Sequence, residues 1–382
     1  MEKITFNQRF LARNEANYVG QYITPSETGE IEKFEKKSLS MIANKLKSSF
    51  VHLTSSCTAA LEVSSILSEI EAGDEVIMPS FTFSSTANAV ALRGGVPVFV
   101  DIKPDTLNID ERKINLAITN KTKAIVVVHY AGLACNMNAI LKLAKDNGLL
   151  VIEDAAQAIG SYYNGMPLGT IGDFGAISFH KTKNIQCGEG GLFISSNKKY
   201  HNRAAHIIEK GTNRLEKING SIDKYEWVSL GSSYVLSDIQ IASLAAQLLD
   251  EEQVTSLRVA IWKQYHLGLE ELESDGLITR PSIEPGSSVN GHIYYVLISK
   301  PHIREHVSEY LLLKGISACS HYEPLHLAPA GRRYGRTPFE LNVTEDIAPR
   351  LLRLPIWPSM TPIQVQRVIT ELVSALRMGL MT

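Results

Sequence analysis

Three things are scarce in this chain, and each scarcity closes off a class of protein. Its four cysteines, Cys57, Cys135, Cys187 and Cys319, are scattered through 382 residues with no CxxC pair. The number is too small for a disulfide framework and the spacing does not suit a structural zinc site, so no metal is expected. No apolar run approaches the ~18 residues that a bilayer span needs, and the opening Met1-Glu2-Lys3-Ile4-Thr5-Phe6-Asn7 has no apolar signal core. Excess charge is lacking too: the formal net charge is −2, which gives no reason to expect nucleic acid or an anionic membrane as partner. A soluble, cytoplasmic protein is the expectation.

What is present is a large core and a regular alternation. Apolar residues make up 44% of the chain, and the length suggests two domains. From about Val51 to Ser196 short apolar runs alternate with amphipathic ones. Glu75–Met78, Val96–Val100, Ala124–His129, Leu149–Asp154, Ala176–Phe179 and Leu192–Ser195 read as strands, and Ala59–Ile70, Phe83–Arg93 and Met137–Asn147 as helices between them. Gly73, Gly94 and Gly148 mark helix C-termini. The alternation predicts an α/β fold with a mostly parallel sheet covered on both faces, and ligands of such sheets bind beyond the carboxyl ends of the strands. After an irregular polar segment, Lys210–Tyr225, a long helical stretch begins at Leu236–Asp250 and runs towards Leu269. The rest carries its own strand (His292–Ile298) and helices (His302–Lys314 and Pro362–Arg377). A large domain over residues 1–250 and a smaller one over 251–382 are expected.

The chemistry concentrates at two strand ends. One strand finishes in Ile152-Glu153-Asp154-Ala155-Ala156-Gln157, and another runs into Ser178-Phe179-His180-Lys181-Thr182-Lys183. A carboxylate and an amine at neighbouring strand ends can hold a pyridine ring between them. That is what a pyridoxal phosphate (PLP) enzyme needs, because the cofactor is an electron sink only when its ring nitrogen can carry positive charge. Asp154 could instead cap a following helix, but Gln157 three residues later suggests a second group facing the ring, at its phenolic oxygen. Lys181 and Lys183 share parity, so strand periodicity does not separate them; the nucleophile must be the desolvated one. Thr54-Ser55-Ser56-Cys57-Thr58 precedes a helix. Alone it is an ordinary Ser/Thr N-cap; beside Asp154 and the lysines it becomes a phosphate seat, through the Cys57 and Thr58 amides and the Thr58 hydroxyl, with Ser178 as a further donor. Phe83 could stack on the ring face, although an aromatic there is more often plain core. The loop Gly188-Glu189-Gly190-Gly191 allows close backbone approach but matches neither GxGxxG nor the P-loop.

Together the runs TSSCTAAL, GDEVIMPSFTFSSTANA, VIEDAAQA, SFHKTKN, CGEGG and HYEPLH resemble the DegT/DnrJ/EryC1/StrS sugar aminotransferases, over roughly Ile4 to Val373. The resemblance implies a fold-type I PLP enzyme: a large domain with a mostly parallel seven-stranded sheet between helices, plus a smaller C-terminal α+β domain. It selects Lys183 as the Schiff-base lysine and gives Asp154 and Gln157 the roles argued above. Most of the family has an Asn-Tyr-Arg run before the long helix, whereas this chain has Gly231-Ser232-Ser233-Tyr234-Val235. Ser233 thus stands where a partner subunit supplies a phosphate-binding Asn, which implies a homodimer with shared sites. This variant, with HYAGLAC, EKGTNR and DKYEW, is similar to a subgroup that makes dTDP-4-amino-4,6-dideoxygalactose for enterobacterial common antigen and related polysaccharides. Where relatives have a GDG-type turn, this chain reads Tyr22-Ile23-Thr24-Pro25-Ser26-Glu27-Thr28-Gly29.

The reaction so implied takes an amino group from L-glutamate and delivers it to dTDP-4-keto-6-deoxyglucose, with His321 as a candidate contact for the nucleotide sugar. Other nucleotide-linked keto sugars (the gluco epimer, a 3-keto or a GDP-linked sugar) are alternatives. A sugar dehydratase on the same scaffold would replace the lysine by histidine, and Lys183 is present; a non-catalytic relative would have lost Lys183 or Asp154. Ser233→Asn is expected to retain or tighten PLP binding, as followed by titrating the absorbance of the bound cofactor. Complete loss of the cofactor from that variant would remove Ser233 from the site.

Overall fold

The computed structural model of the protein describes residues 2–24, 30–48 and 50–379; the Pro25–Gly29 part of the turn compared above lies outside them. Seven strands form the central sheet: β1 (Val51–Thr54), β2 (Glu75–Pro79), β3 (Val96–Val100), β4 (Thr122–Val128), β5 (Leu150–Asp154), β6 (Phe174–Ser178) and β7 (Gly191–Ser195). Their order is β1-β7-β6-β5-β4-β2-β3. Strands β3, β2, β4, β5 and β6 run parallel, and β7 is antiparallel to both its neighbours, β6 and β1. Five consecutive buried residues in each of β2, β6 and β7 fit a sheet covered on both faces. The helices that cover it include α1 (Cys57–Leu67), α2 (Ser84–Ala91) and α3 (Met137–Asp146). The sheet is therefore the mostly parallel, seven-stranded one expected.

The long helical stretch is two helices, α4 (Asp238–Leu249) and α5 (Glu251–Gly268), rather than one. Asp250 between them has φ −103° and ψ 8°, and its carboxylate takes both the backbone N–H (3.1 Å) and the guanidinium (2.8 Å) of Arg13. This contact, 237 residues apart in sequence, ties the junction of the two helices to the N-terminal segment.

Beyond α5 a second, antiparallel sheet is built from β8 (Ile278–Thr279), β9 (Tyr294–Ile298) and β10 (Leu351–Leu354). Helices α6 (Pro301–Leu313) and α7 (Pro362–Gly379) pack with it around Trp262, Tyr265, Tyr294 and Trp357. Ile4 is buried in this same core and pairs with Ile316, so the N-terminal residues run alongside it. The segment Ser320–His326 is tied back to the central sheet at Ser80, just past β2. There the Ser80 hydroxyl lies 2.7 Å from His326 Nδ1, and the Leu325 N–H donates to the Ser80 carbonyl at 3.0 Å. That tie brings His321 and Tyr322 over the carboxyl ends of the strands.

One glycine fixes how closely two parts of this frame approach. A Cβ on Gly191, at the start of β7, would lie 2.3 Å from the Ser56 carbonyl carbon and 2.4 Å from the Cys57 nitrogen. Both obstructions are backbone, so no side chain can rotate out of the way. Gly191→Ala should therefore destabilise the protein by about 1–3 kcal/mol, as measured by chemical denaturation, and should loosen the N-terminus of α1.

Candidate active site

A cavity of about 610 Å³ opens at the carboxyl ends of β5 and β6 and is lined on its other side by residues from the C-terminal part of the chain, among them His292, just ahead of β9, and Arg353 on β10. Strands β5 and β6 pair in parallel with Asp154 opposite Ala176, which sets the two strand ends side by side. Asp154, Gln157, Ser178 and Lys183 all line this cavity, as do Cys57, Thr58, Phe83 and His321.

The two lysines left equal by strand parity are separated here. Lys181 is exposed, while Lys183 is half-buried and faces the cavity. A tight turn, Lys183 N–H to His180 carbonyl at 2.8 Å, carries the chain back inward. Lys183 Nζ has no hydrogen-bond or ion-pair partner among the described residues. Burial pulls its proton affinity below that of an ordinary lysine, while the Asp154 carboxylate pushes the other way.

Asp154 is buried and held in one orientation. Its Oδ2 accepts from the Thr86 hydroxyl at 2.7 Å and its Oδ1 from the Ala156 N–H at 3.2 Å. Thr86 is itself 2.9 Å from the Thr82 hydroxyl, so a short hydroxyl chain ends on the carboxylate. No helix follows Asp154, which removes the capping role. Burial raises its pKa above the usual carboxylate value, and the Thr86 and Ala156 donors restrain the rise.

At the N-terminus of α1, Ser56 is the capping residue, and its hydroxyl accepts from the Ala59 N–H at 3.0 Å. The Cys57 and Thr58 N–H groups are then the two first-turn donors without a partner among the described residues, and both residues face the cavity. Thr58 Oγ1 lies 2.7 Å from Ser85 Oγ. Buried Ser178 accepts from the His180 N–H at 3.3 Å. The Cys57 thiol is pushed well up by burial, so it is a neutral neighbour rather than a thiolate.

Gln157 is oriented by its own hydrogen bonds: Oε1 accepts from the Ala131 N–H at 2.6 Å, so Nε2 is free to donate to Tyr322 Oη at 2.8 Å. Phe83 is 57% exposed, and its ring centroid is 6.2 Å from that of Tyr322. His321 stacks on Tyr322 at 3.7 Å and shares a 2.7 Å hydrogen bond with Tyr130 Oη. Burial, reinforced by Arg353, pushes its pKa down to about 2, so it meets any ligand as a neutral group. Ser233 is exposed and does not line the cavity of its own chain; it forms a bridge with Glu209.

Sequence reasoning passed over Thr86, Ser85, Tyr322, Arg258, His292 and Arg353, which all belong to the cavity or hold its walls. Thr86 and Tyr322 lie inside motifs already singled out, beside Phe83 and His321. The two arginines sit in unremarkable helix and strand context. Among the described residues no group of three or more His, Cys, Asp or Glu could hold a metal ion.

The chain belongs to the DegT/DnrJ/EryC1/StrS aminotransferase family, whose pattern it matches over residues 12–373. It is 37% identical to an uncharacterised protein of Methanocaldococcus jannaschii, over 90% of this chain and 89% of that one. It is 34% identical to the spore coat polysaccharide biosynthesis protein SpsC of Bacillus subtilis, over 89% and 88%. Among solved structures, the aminotransferase TlmJ from Streptoalloteichus hindustanus superposes with a TM-score of 0.88 at 27% identity, covering 99% of this chain and 100% of that one.

A buried carboxyl whose folded pKa is raised binds more protons folded than unfolded. It therefore costs stability as pH rises above the ordinary Asp value and through the folded one. Asp154→Asn removes that cost. Thermal unfolding of the apoprotein should show the variant gaining on wild type as pH rises through this window, and equalling or exceeding it at neutral pH. A variant less stable at every pH would refute this account of Asp154.

Proposed function

We propose that this chain is a PLP-dependent sugar aminotransferase that converts dTDP-4-keto-6-deoxy-D-glucose and L-glutamate to dTDP-4-amino-4,6-dideoxy-D-galactose and 2-oxoglutarate. The observation that carries this reading is a convergence on one cavity. An unpartnered Lys183, a buried and oriented Asp154, and two free N–H groups at a helix N-terminus face the same space. The donor set fits the cofactor group by group. The Cys57 and Thr58 amides, the Thr58 hydroxyl and Ser178 would hold its phosphate, where helix-terminal N–H groups favour an anion. Asp154 would hold its ring nitrogen, Gln157 its phenolic oxygen and Phe83 one face of the ring. When bound, PLP supplies the electron sink that lets a proton leave the carbon bearing the amine.

The protein's own part is proton handling and exclusion of water. Burial raises the proton affinity of Asp154, and the Thr86 and Ala156 donors oppose that rise, which suits a carboxylate that must accept from a ring N–H without taking its proton. Burial lowers that of Lys183, which frees the amine to take a proton at the donor's α-carbon and to return it in the second half of the cycle. His321, neutral and held by Tyr130, would be a contact for the nucleotide sugar.

Sugar as the acceptor class is supported by the family and by SpsC, named for polysaccharide biosynthesis. The dTDP-linked 4-keto sugar and the use of the product in surface polysaccharide rest on the Gly231–Tyr234 variant and its accompanying motifs. A homodimer is supported by Ser233, which faces away from its own cavity, and by the neighbouring Trp227 and Leu230, 75% and 61% exposed. Ser233 of the partner subunit would then complete the phosphate site. Among the described residues no helix is long and apolar enough to cross a membrane, in keeping with a cytoplasmic enzyme.

The test is mass spectrometry and proton NMR of the product formed from dTDP-4-keto-6-deoxyglucose, glutamate, PLP and purified protein. An axial C4 amine is expected, and Lys183→Ala should lower turnover by about 10²–10⁴-fold or more. An equatorial amine would move the enzyme to the gluco series. No amine, with glutamate still aminating the bound cofactor, would keep the aminotransferase and discard this sugar for another nucleotide-linked keto sugar.

A further inference from the structure

One cation of the cavity has no task in the chemistry above. Arg353, on β10, lines the same space as Lys183 and forms no ion pair with any described residue. Its position is nevertheless fixed. Nε and Nη2 donate to the Ser320 carbonyl at 3.0 and 2.8 Å, and Nη2 also reaches Cys319 Sγ at 3.3 Å. The guanidinium lies over the Phe6 ring, 4.8 Å from its centroid. Its own backbone is paired with Cys319 in both directions, at 2.8 and 3.2 Å. Nη1 has no partner among the described residues. A guanidinium held on one edge and on one face, with Nη1 unbonded, is preorganised for an anion.

The cavity's second arginine is differently engaged. Arg258, buried, gives Nε to Asn184 Oδ1 at 2.8 Å and Nη1 to the Ile356 carbonyl at 2.9 Å. Asn184 Oδ1 is also 2.9 Å from His292 Nδ1. Arg258 therefore fixes the residue next to Lys183, and Arg353 is the arginine left to meet a ligand.

We propose that Arg353 receives a carboxylate of the amino donor, a dicarboxylic amino acid. This rests on the aminotransferase reading and deepens it. The donor's α-carbon must come to Lys183, and its α-carboxylate is one bond further on. In a nucleotide sugar reacting at C4, by contrast, the width of the hexose ring separates the ketone from the diphosphate. The phosphate seat at the N-terminus of α1 lies on the other wall, formed by the first sheet. Arg353 already makes itself felt at Lys183 and His321, lowering the proton affinity of both. An arriving carboxylate neutralises that influence at the moment Lys183 has to accept a proton. With Nε and Nη2 anchored, the planar guanidinium presents the Nη1 N–H groups to a carboxylate from a fixed direction, which the flexible stem of a lysine does not offer.

The experiment compares wild type, Arg353→Gln and Arg353→Lys as PLP-loaded holoenzymes. Calorimetry measures binding of glutarate, an unreactive dicarboxylate, and of dTDP; absorbance of the bound cofactor follows its amination by L-glutamate. Arg353→Gln should weaken glutarate, and raise the half-saturating glutamate concentration, by about 10- to 100-fold. Binding of dTDP and the cofactor absorbance should stay unchanged. Arg353→Lys keeps the charge without the planar group and should fall between. Unchanged glutarate affinity in both variants would overturn the proposal, as would weakened dTDP with glutarate intact, which gives Arg353 to the nucleotide's diphosphate. Failure of the wild type to retain PLP would sink the aminotransferase reading, while the glutarate titration of the protein alone still decides Arg353.

Discussion

The site hangs on Glu153, the residue before Asp154, whose carboxylate is 0% exposed and carries four hydrogen bonds. Oε1 accepts from the Ile171 and Gly172 N–H groups, both at 2.6 Å. Oε2 accepts from the Gly169 N–H and from His129 Nε2, both at 2.8 Å. The Cys135 N–H points at His129 Nδ1, so Nδ1 is the acceptor and Nε2 carries the proton. A lone buried carboxylate would be ruinous, and removal of one partner of such a cluster typically costs about 3–5 kcal/mol. Fully satisfied, the cluster ties the ends of β4 and β5 to the turn that feeds β6. The spacing between Asp154 and the loop of Lys183 is thus set by a neighbour that takes no part in the chemistry. Strand alternation makes this possible, sending Glu153 and Asp154 to opposite faces of the sheet.

The second constraint is that one side of the cavity wall comes from far along the chain. His292, His321, Tyr322 and Arg353 reach the strand ends because the Ser320–His326 segment is fastened at Ser80 and because Asn184 is clamped between Arg258 and His292. Asn290 adds to this clamp. Its amide donates to the Gln157 and Ile159 carbonyls, both at 2.8 Å, and its backbone carbonyl accepts from Asn184 at 3.1 Å. Lys183 and Gln157, placed by different loops of the first sheet, are therefore held against one strip of the second.

This division explains what could be read in advance. Local pattern found the strands β2 to β7, because a buried parallel strand is a continuous apolar run bounded by turn residues. It found Asp154 and the Ser56–Thr58 cap, because strand ends and helix starts carry short-range signals. Parity alone could not choose between Lys181 and Lys183; only the turn closed by His180, a matter of chain path, exposes the one and buries the other. β1 escaped notice because Val51-His52-Leu53-Thr54 is short and mixed. The break at Asp250 escaped because neither Gly nor Pro marks it. Thr86, Tyr322, Arg258 and Arg353 draw their roles from partners 68 or more residues away, or, in Arg353, from the lack of a carboxylate where one would be expected. No window along the sequence contains that information.

One cavity has to accept a charged donor and then an uncharged sugar ring in the same place, and the surroundings of Arg353 bear on how it does so. An arginine satisfied only by the donor's carboxylate would be left desolvated and unpaired when the sugar came in, a penalty that would fall on the second half-reaction. Here the Ser320 carbonyl and the Phe6 face remain with it in either case. A donor carboxylate would add bonds at Nη1 without being the sole support of the charge. His321, neutral because burial and Arg353 both oppose its protonation, adds no second cation on that side. The result is a wall with one fixed positive charge whose free Nη1 can take a carboxylate or a sugar hydroxyl. On the function proposed, such a wall would let two unlike substrates use one reacting lysine.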